Sequence, residues 1–299
     1  MKVNYHTHSR YCRHAQGEVR DFAEAAFNSG LEVLGFSDHA PFPVPLFGDR
    51  YGNGMDFDEL DSYLCEVQEE RERYAGKMQI FSSLEIEYLP EFDEAGSENA
   101  GGVAADWVSE GGAHGFAGAQ SEQTQKSYYR WLLEEKKLDY LLLGAHFFYT
   151  KKGEFLNIYT IEKLDNVLDY AEAAVQALNT GYFKIFAHPD IFSMLDFSED
   201  SRCCDIYDKA SDMIIEAAKR NGTILEFNAN GMRRGLFDYS GEERWQYPLL
   251  SFWKKVSEAG LPVVVGADAH VPEQVWDSYV EEAYRTLKEL GITPVEKIF

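Results

Sequence analysis

Val3-Asn4-Tyr5-His6-Thr7-His8 sets a short apolar run directly in front of two histidines separated by one residue. Read as a strand, it carries both imidazoles to one sheet end on a shared face, because side chains two apart along a strand point the same way. The arrangement recurs along the chain. Glu32 to Ser37 runs into Asp38-His39, and Met78 to Ile86 carries Glu85 near its end. Asp139 to Ala145 precedes His146, Phe183 to Ala187 precedes His188, and Pro262 to Gly266 leads into Asp268-Ala269-His270. Thr223 to Phe227 completes a set of seven apolar, β-rich runs.

Between the runs lie amphipathic stretches, Gly17 to Ser29, Asp56 to Tyr74, Ile161 to Leu178, Asp205 to Arg220, Pro248 to Ala259 and Pro272 to Leu290. Short strands alternating with longer helices predict an α/β fold built of βα units. In a parallel barrel all C-terminal strand ends meet at one rim, so residues distant in sequence converge there. Helix punctuation agrees: Asp56-Phe57-Asp58-Glu59 suits a helix start, and Gly30, Gly222 and Gly260 each follow a helical run. From about residue 90 to 135 the rhythm breaks in a glycine-rich stretch containing His114, which ends in a helical segment through Tyr128-Tyr129-Arg130-Trp131. This predicts an insertion after the third strand of a single domain spanning residues 1–299.

The net charge of -23, from 51 acids against 28 bases, argues against nucleic-acid or anionic-membrane partners, which need clustered Lys and Arg. A small anionic substrate needs a local positive focus instead, and divalent cations supply one inside an acidic protein. Cys12, Cys65, Cys203 and Cys204 form no Cys-x-x-Cys pair and are too few to staple a chain of this size, so a reducing compartment is expected. No apolar run approaches the roughly 20 residues of a membrane span, and Met1-Lys2-Val3-Asn4 is unlike a signal start. A cytoplasmic protein is expected; oligomeric state is not legible.

Histidines at strand ends joined by Asp268 and Glu85 make a polynuclear metal site the leading reading. Glu85 offers the hard oxygen that bridges two cations, and Glu87, two places on, shares its face. Imidazole with carboxylate suits Zn, Mn or Fe without choosing among them. Asp38 and Asp190 sit beside histidines, where carboxylates orient an imidazole or receive a substrate ammonium.

His6-Thr7-His8 with Tyr11-Cys12-Arg13-His14-Ala15, and then Leu34-Gly35-Phe36-Ser37-Asp38-His39-Ala40-Pro41, resembles the opening of the polymerase-and-histidinol-phosphatase (PHP) metallohydrolases, in particular their monofunctional histidinol-phosphate phosphatases. Leu84-Glu85-Ile86-Glu87-Tyr88, Gly144-Ala145-His146-Phe147, Ala187-His188-Pro189-Asp190, Glu226-Phe227-Asn228-Ala229-Asn230-Gly231-Met232-Arg233 and Gly266-Ala267-Asp268-Ala269-His270 continue the likeness across the chain. The resemblance implies a distorted TIM-like (βα)7 barrel with three divalent metals at the C-terminal rim. It assigns His6, His8, Glu85 and Asp268 to the first ion, the bridging Glu85 with His146 and His188 to the second, and His14, His39 and His270 to the third. His114 has no counterpart. After His146 the segment Phe147-Phe148-Tyr149-Thr150-Lys151-Lys152-Gly153-Glu154 departs from the family pattern.

The implied chemistry is phosphomonoester hydrolysis, with water acidified by the cations attacking phosphorus in line. Arg233 is the first choice for a bidentate phosphate clamp and Arg234 its competitor. Asp190 and Glu87 are candidates for an acidic recess that takes the amine of histidinol phosphate, and Asp190 also for protonating the leaving alkoxide. Alternatives are another small phosphoester or phosphotyrosine as substrate, or a non-catalytic metal-binding module; the full ligand set counts against the last.

Overall fold

The apolar runs become strands in the order in which the sequence presents them. The computed structural model describes residues 1–42, 54–93 and 127–299. In chain order the strands are β1 (Val3–Asn4), β2 (Val33–Phe36), β3 (Gln79–Ile86), β4 (Tyr140–Leu143), β5 (Phe147–Tyr149) and β6 (Phe155–Asn157). They continue with β7 (Ile185–Phe186), β8 (Ile224–Asn228), β9 (Leu236–Tyr239), β10 (Glu242–Trp245) and β11 (Val263–Gly266). Seven of them form one parallel sheet in the order β1-β2-β3-β4-β7-β8-β11. Its two edges meet where Thr7 bridges Ala269 in parallel and His8 N–H donates to the Ala269 carbonyl over 2.9 Å. The sheet therefore curls into the expected seven-stranded barrel.

Alternation sorts the strand residues. Tyr140, Leu142, Ile185, Ile224 and Val264 pack with Val3 and Tyr5 inside the barrel, while Leu141, Leu143, Leu225, Val263 and Val265 pack outward against the helices. The helices are α1 (Val19–Asn28), α2 (Leu60–Arg73), α3 (Tyr128–Glu134), α4 (Asn166–Asn179), α5 (Cys203–Asn221), α6 (Ala229–Arg233), α7 (Leu250–Ala259) and α8 (Ser278–Glu289). On α1, Val19, Phe22, Ala23 and Ala26 repeat at one-turn spacing and are all buried. Gly222 and Gly260 end α5 and α7 in the left-handed region, at φ of 67° and 65°.

The structure corrects the sequence reading in several places. A regular strand from Val3 to His8 would alternate, and with Val3 and Tyr5 inside it would turn His6 and His8 outward. Instead the strand ends at Asn4, whose Oδ1 accepts from His6 N at 3.1 Å and Ala267 N at 3.0 Å. This side-chain turn swings both imidazoles inward. Pro272 to Leu290 is not one helix: a 3-10 turn, Pro272–Trp276, precedes α8, whose cap Asp277 accepts from Tyr279 N and Val280 N. Two antiparallel hairpins, β5 with β6 and β9 with β10, interrupt the βα rhythm. Of the proposed insertion, the turn Pro90–Phe92 and α3 are described, whereas residues 94–126, with His114, lie outside the described residues.

Ile298, 4 % exposed, packs among the residues inside the barrel at the end opposite the histidines, and the Tyr5 hydroxyl donates to the Glu296 carbonyl at 3.0 Å. Ile298→Ala should cost about 2–5 kcal/mol in denaturant unfolding; an unchanged midpoint would mean that this segment does not close the barrel floor.

Candidate metal centre

Each of the strand ends β4, β7 and β11 turns sharply to present its ligand. Ala145, His188 and Asp268 adopt positive φ values of 53°, 33° and 47°, unusual for residues with side chains. The strain bends the chain inward over the barrel mouth just where His146, His188 and Asp268 occur. At Gly144 a side chain would have its Cβ 2.9 Å from the His146 ring and 3.1 Å from Glu85 Cγ, so only glycine lets β4 pass behind the two.

Glu85 stands at the centre, 1 % exposed. Its Oε1 lies 2.9 Å from His188 Nε2 and 3.6 Å from His146 Nε2. Its Oε2 lies 3.3 Å from His6 Nε2, from His8 Nε2 and from His39 Nδ1. Asp268 Oδ1 faces His8 at 3.3 Å, His270 at 3.4 Å and His6 at 3.6 Å. His14, the one exposed member, reaches His270 through a 2.8 Å Nε2–Nε2 contact. All nine residues expected as ligands thus fall in one cluster, with Glu85 presenting one oxygen to each of two histidine groups. His39 differs from its expected place: its nitrogen faces Glu85, although its ring is still 5.4 Å from that of His14.

The donor set fits divalent cations. Two ligands about 2.0–2.2 Å from one tetrahedral ion stand about 3.3–3.6 Å apart, the range of most contacts around Glu85 and Asp268. Although burial alone would raise it, the Glu85 carboxyl is held well below its usual range by neighbouring imidazoles, His6 and His146 foremost. Burial, reinforced by neighbouring imidazoles, pushes His39 well below its ordinary value and His270 down to about 3, so both offer lone pairs.

Outer partners fix the rings. His146 Nδ1 contacts Glu87 Oε1 at 2.8 Å, His6 Nδ1 contacts Glu226 Oε1 at 2.8 Å, and His14 Nδ1 donates to the Cys12 carbonyl at 2.7 Å. The alternation that left Glu85 and Glu87 open is resolved: Glu85 faces five imidazoles, and Glu87 backs one of them while accepting from Phe147 N at 3.3 Å. Asp38 accepts from Ser9 N, Ser9 Oγ and Cys12 N, which shapes the loop carrying His8 and His14. Asp190 is buried; its Oδ2 accepts from Leu249 N at 2.6 Å and from the Trp253 indole at 2.8 Å, tying the His188 loop to α7. Burial pushes its carboxyl up to about 6.

The two arginines separate. Arg233, expected as the phosphate clamp, donates to Asp277 at 2.6 Å, to the Ala267 carbonyl at 2.5 Å and to the Gln274 carbonyl at 3.1 Å, so its fork is occupied by the protein itself. Arg234 is exposed, with its guanidinium 5.6 Å from the Tyr247 ring and 6.0 Å from that of Tyr159. Those rings flank the cluster: Tyr159 stacks on His146 at 5.7 Å, and Tyr247 lies edge-on to His188 at 6.1 Å. Sequence reasoning gave no role to Glu226, Tyr159 or Tyr247; a carboxylate inside an otherwise apolar strand was the available signal for the first.

Comparison with known proteins agrees with this architecture. A "Probable histidinol-phosphatase" of Deinococcus radiodurans is 24% identical over 96% of this chain and 92% of its own length. A "Histidinol-phosphatase" of Bacillus subtilis is 23% identical over 95% of this chain and 98% of its own. Among solved structures, histidinol phosphate phosphatase of Lactococcus lactis, complexed with zinc, L-histidinol and phosphate, superposes with a TM-score of 0.64 at 17% identity, covering 98% of this chain and 95% of that one. Residues 4–230 match the PHP domain, so the barrel and its histidine-lined mouth belong to a chain of the PHP domain family.

Proposed function

We propose that the protein is a metal-dependent phosphomonoesterase that hydrolyses L-histidinol phosphate to L-histidinol and phosphate. The observation that carries this reading is the division of Glu85, with one oxygen toward His146 and His188 and the other toward His6, His8 and His39. The substrate is supported by relatives that carry the histidinol-phosphatase name and align over nearly the whole chain. His6, His8, Glu85 and Asp268 would hold one ion, Glu85 with His146 and His188 a second, and His14 and His270, with His39 at the boundary, a third. Zn, Mn and Fe all suit these donors. Divalent cations held there supply positive charge for a phosphoryl group and lower the pKa of water toward neutrality.

The chain's own residues do the rest. Arg234, exposed and with no side-chain hydrogen bond to the protein among the described residues, takes a phosphate oxygen at the mouth, and Arg233 holds the loop from which Arg234 projects. Tyr159 and Tyr247 wall the site on the His146 and His188 side. Glu87 and Asp190, buried in bonds to His146, Phe147, Leu249 and Trp253, position the ligand loops, in place of the substrate recess their sequence neighbourhood suggested.

Purified protein should release phosphate from histidinol phosphate far faster than from generic aryl phosphates, and similar rates on unrelated esters would contradict the substrate. His146→Ala and Asp268→Ala should abolish turnover while circular dichroism shows a folded barrel. Arg234→Ala should lower kcat/KM by roughly 10–100-fold, the effect of one charge-assisted contact, whereas Arg233→Ala should act on thermal stability; the reverse pattern would restore Arg233 as the clamp.

A further inference from the structure

Glu226 is a carboxylate with 1 % exposure that no lysine or arginine touches among the described residues. It stands inside the barrel between the apolar layer of Ile224 and Val264 and the ligand cluster above. Its Oε1 contacts His6 Nδ1 at 2.8 Å, and its Oε2 accepts from the His188 backbone N–H at 3.1 Å and from Asn228 Nδ2 at 3.0 Å. The Asn228 amide is oriented, because its Oδ1 accepts from Asn230 N and Gly231 N, and its Nδ2 also reaches Asp268 Oδ2 at 3.2 Å. Two fixed donors, the His188 N–H and the Asn228 amide, thus meet Oε2, while Oε1 lies within hydrogen-bond distance of the His6 ring. This contact fixes the orientation of the His6 ring, with Nδ1 toward Glu226 and Nε2 toward Glu85 and Asp268.

The backbone is built around this carboxylate. A Cβ on Gly266 would fall 1.7 Å from Glu226 Oε1 and 2.2 Å from its Cδ, so β11 has glycine where the carboxylate lies against it. One group thus holds the side chain of His6, the main chain of His188 at its strained φ of 33° and, through Asn228, Asp268. By contrast, among the described residues the Glu87 carboxylate holds only His146 and its neighbour Phe147.

We propose that Glu226 is a positioning residue that couples two cation positions, the one formed by His6, His8 and Asp268 and the one formed by His146 and His188, so that both lose affinity together when it is altered. This rests on the metal reading of the site. Glu226→Gln keeps the shape but must turn its amide N–H groups either against the His188 and Asn228 donors or toward His6 Nδ1, which removes the negative charge behind that ring, and Gly266→Ala keeps the carboxylate but displaces it.

The test is titration of the metal-free full chain with Co2+, read by visible absorption and equilibrium dialysis, with the metal-free melting temperature measured alongside. Two cobalt equivalents should weaken together by roughly 10–100-fold in Glu226→Gln and in Gly266→Ala, and one alone in Glu87→Gln. If Glu226→Gln does not fold, Gly266→Ala carries the same comparison. Weakening of a single equivalent, or a lower melting temperature with wild-type affinities, overturns the coupling. Failure of the wild-type chain to bind cobalt overturns the metal reading itself.

Discussion

A buried carboxylate facing five imidazoles is the constraint around which this barrel is arranged. Glu85 draws the histidines inward, but burial penalises every proton they take up, and their mutual repulsion adds to that penalty at His39 and His270. Cations resolve the conflict better than protons do, since one ion satisfies several lone pairs at once and its charge is matched by Glu85 and Asp268. The positive φ angles at Ala145, His188 and Asp268 are local costs of the same arrangement, borne by a core of parallel strands.

The next layer out keeps the arrangement precise in direction as well as in place. Glu226 behind His6 and Glu87 behind His146 leave each ring one nitrogen to present. Asp38 and Asp190 fasten the loops that carry His8, His14 and His188, through backbone N–H groups and the Trp253 indole. An acidic chain thereby assembles a pocket whose charge is set by what it binds, which suits a small phosphoester more than a polyanion.

Much of this was legible in the sequence because strand periodicity and ligand chemistry act locally. The seven apolar runs each became strand, and the nine metal-ligand candidates each fell in the cluster. What escaped depended on contacts between distant segments. The turn at Asn4 is fixed partly by Ala267, and strand periodicity leaves Glu85 and Glu87 equivalent, so that only the family resemblance prefers Glu85; the rings each carboxylate meets separate them. The order of Arg233 and Arg234 is decided by Asp277 and two carbonyl groups more than thirty residues away. The hairpin β5–β6 follows His146 at the point where the sequence leaves the family pattern, and spacing alone gives no sign that it leads to Tyr159 stacked on that histidine.

The central claim is that the nine clustered side chains hold divalent transition ions. The most direct measurement is elemental analysis of the chain purified without added metal or chelator, compared with a sample of a chain carrying Glu85→Ala. The account predicts more than one transition-metal ion per wild-type chain and a loss that spans more than one position in the variant. A wild-type chain that hydrolyses phosphoesters while carrying no transition metal, or a variant that keeps the full complement, would contradict it.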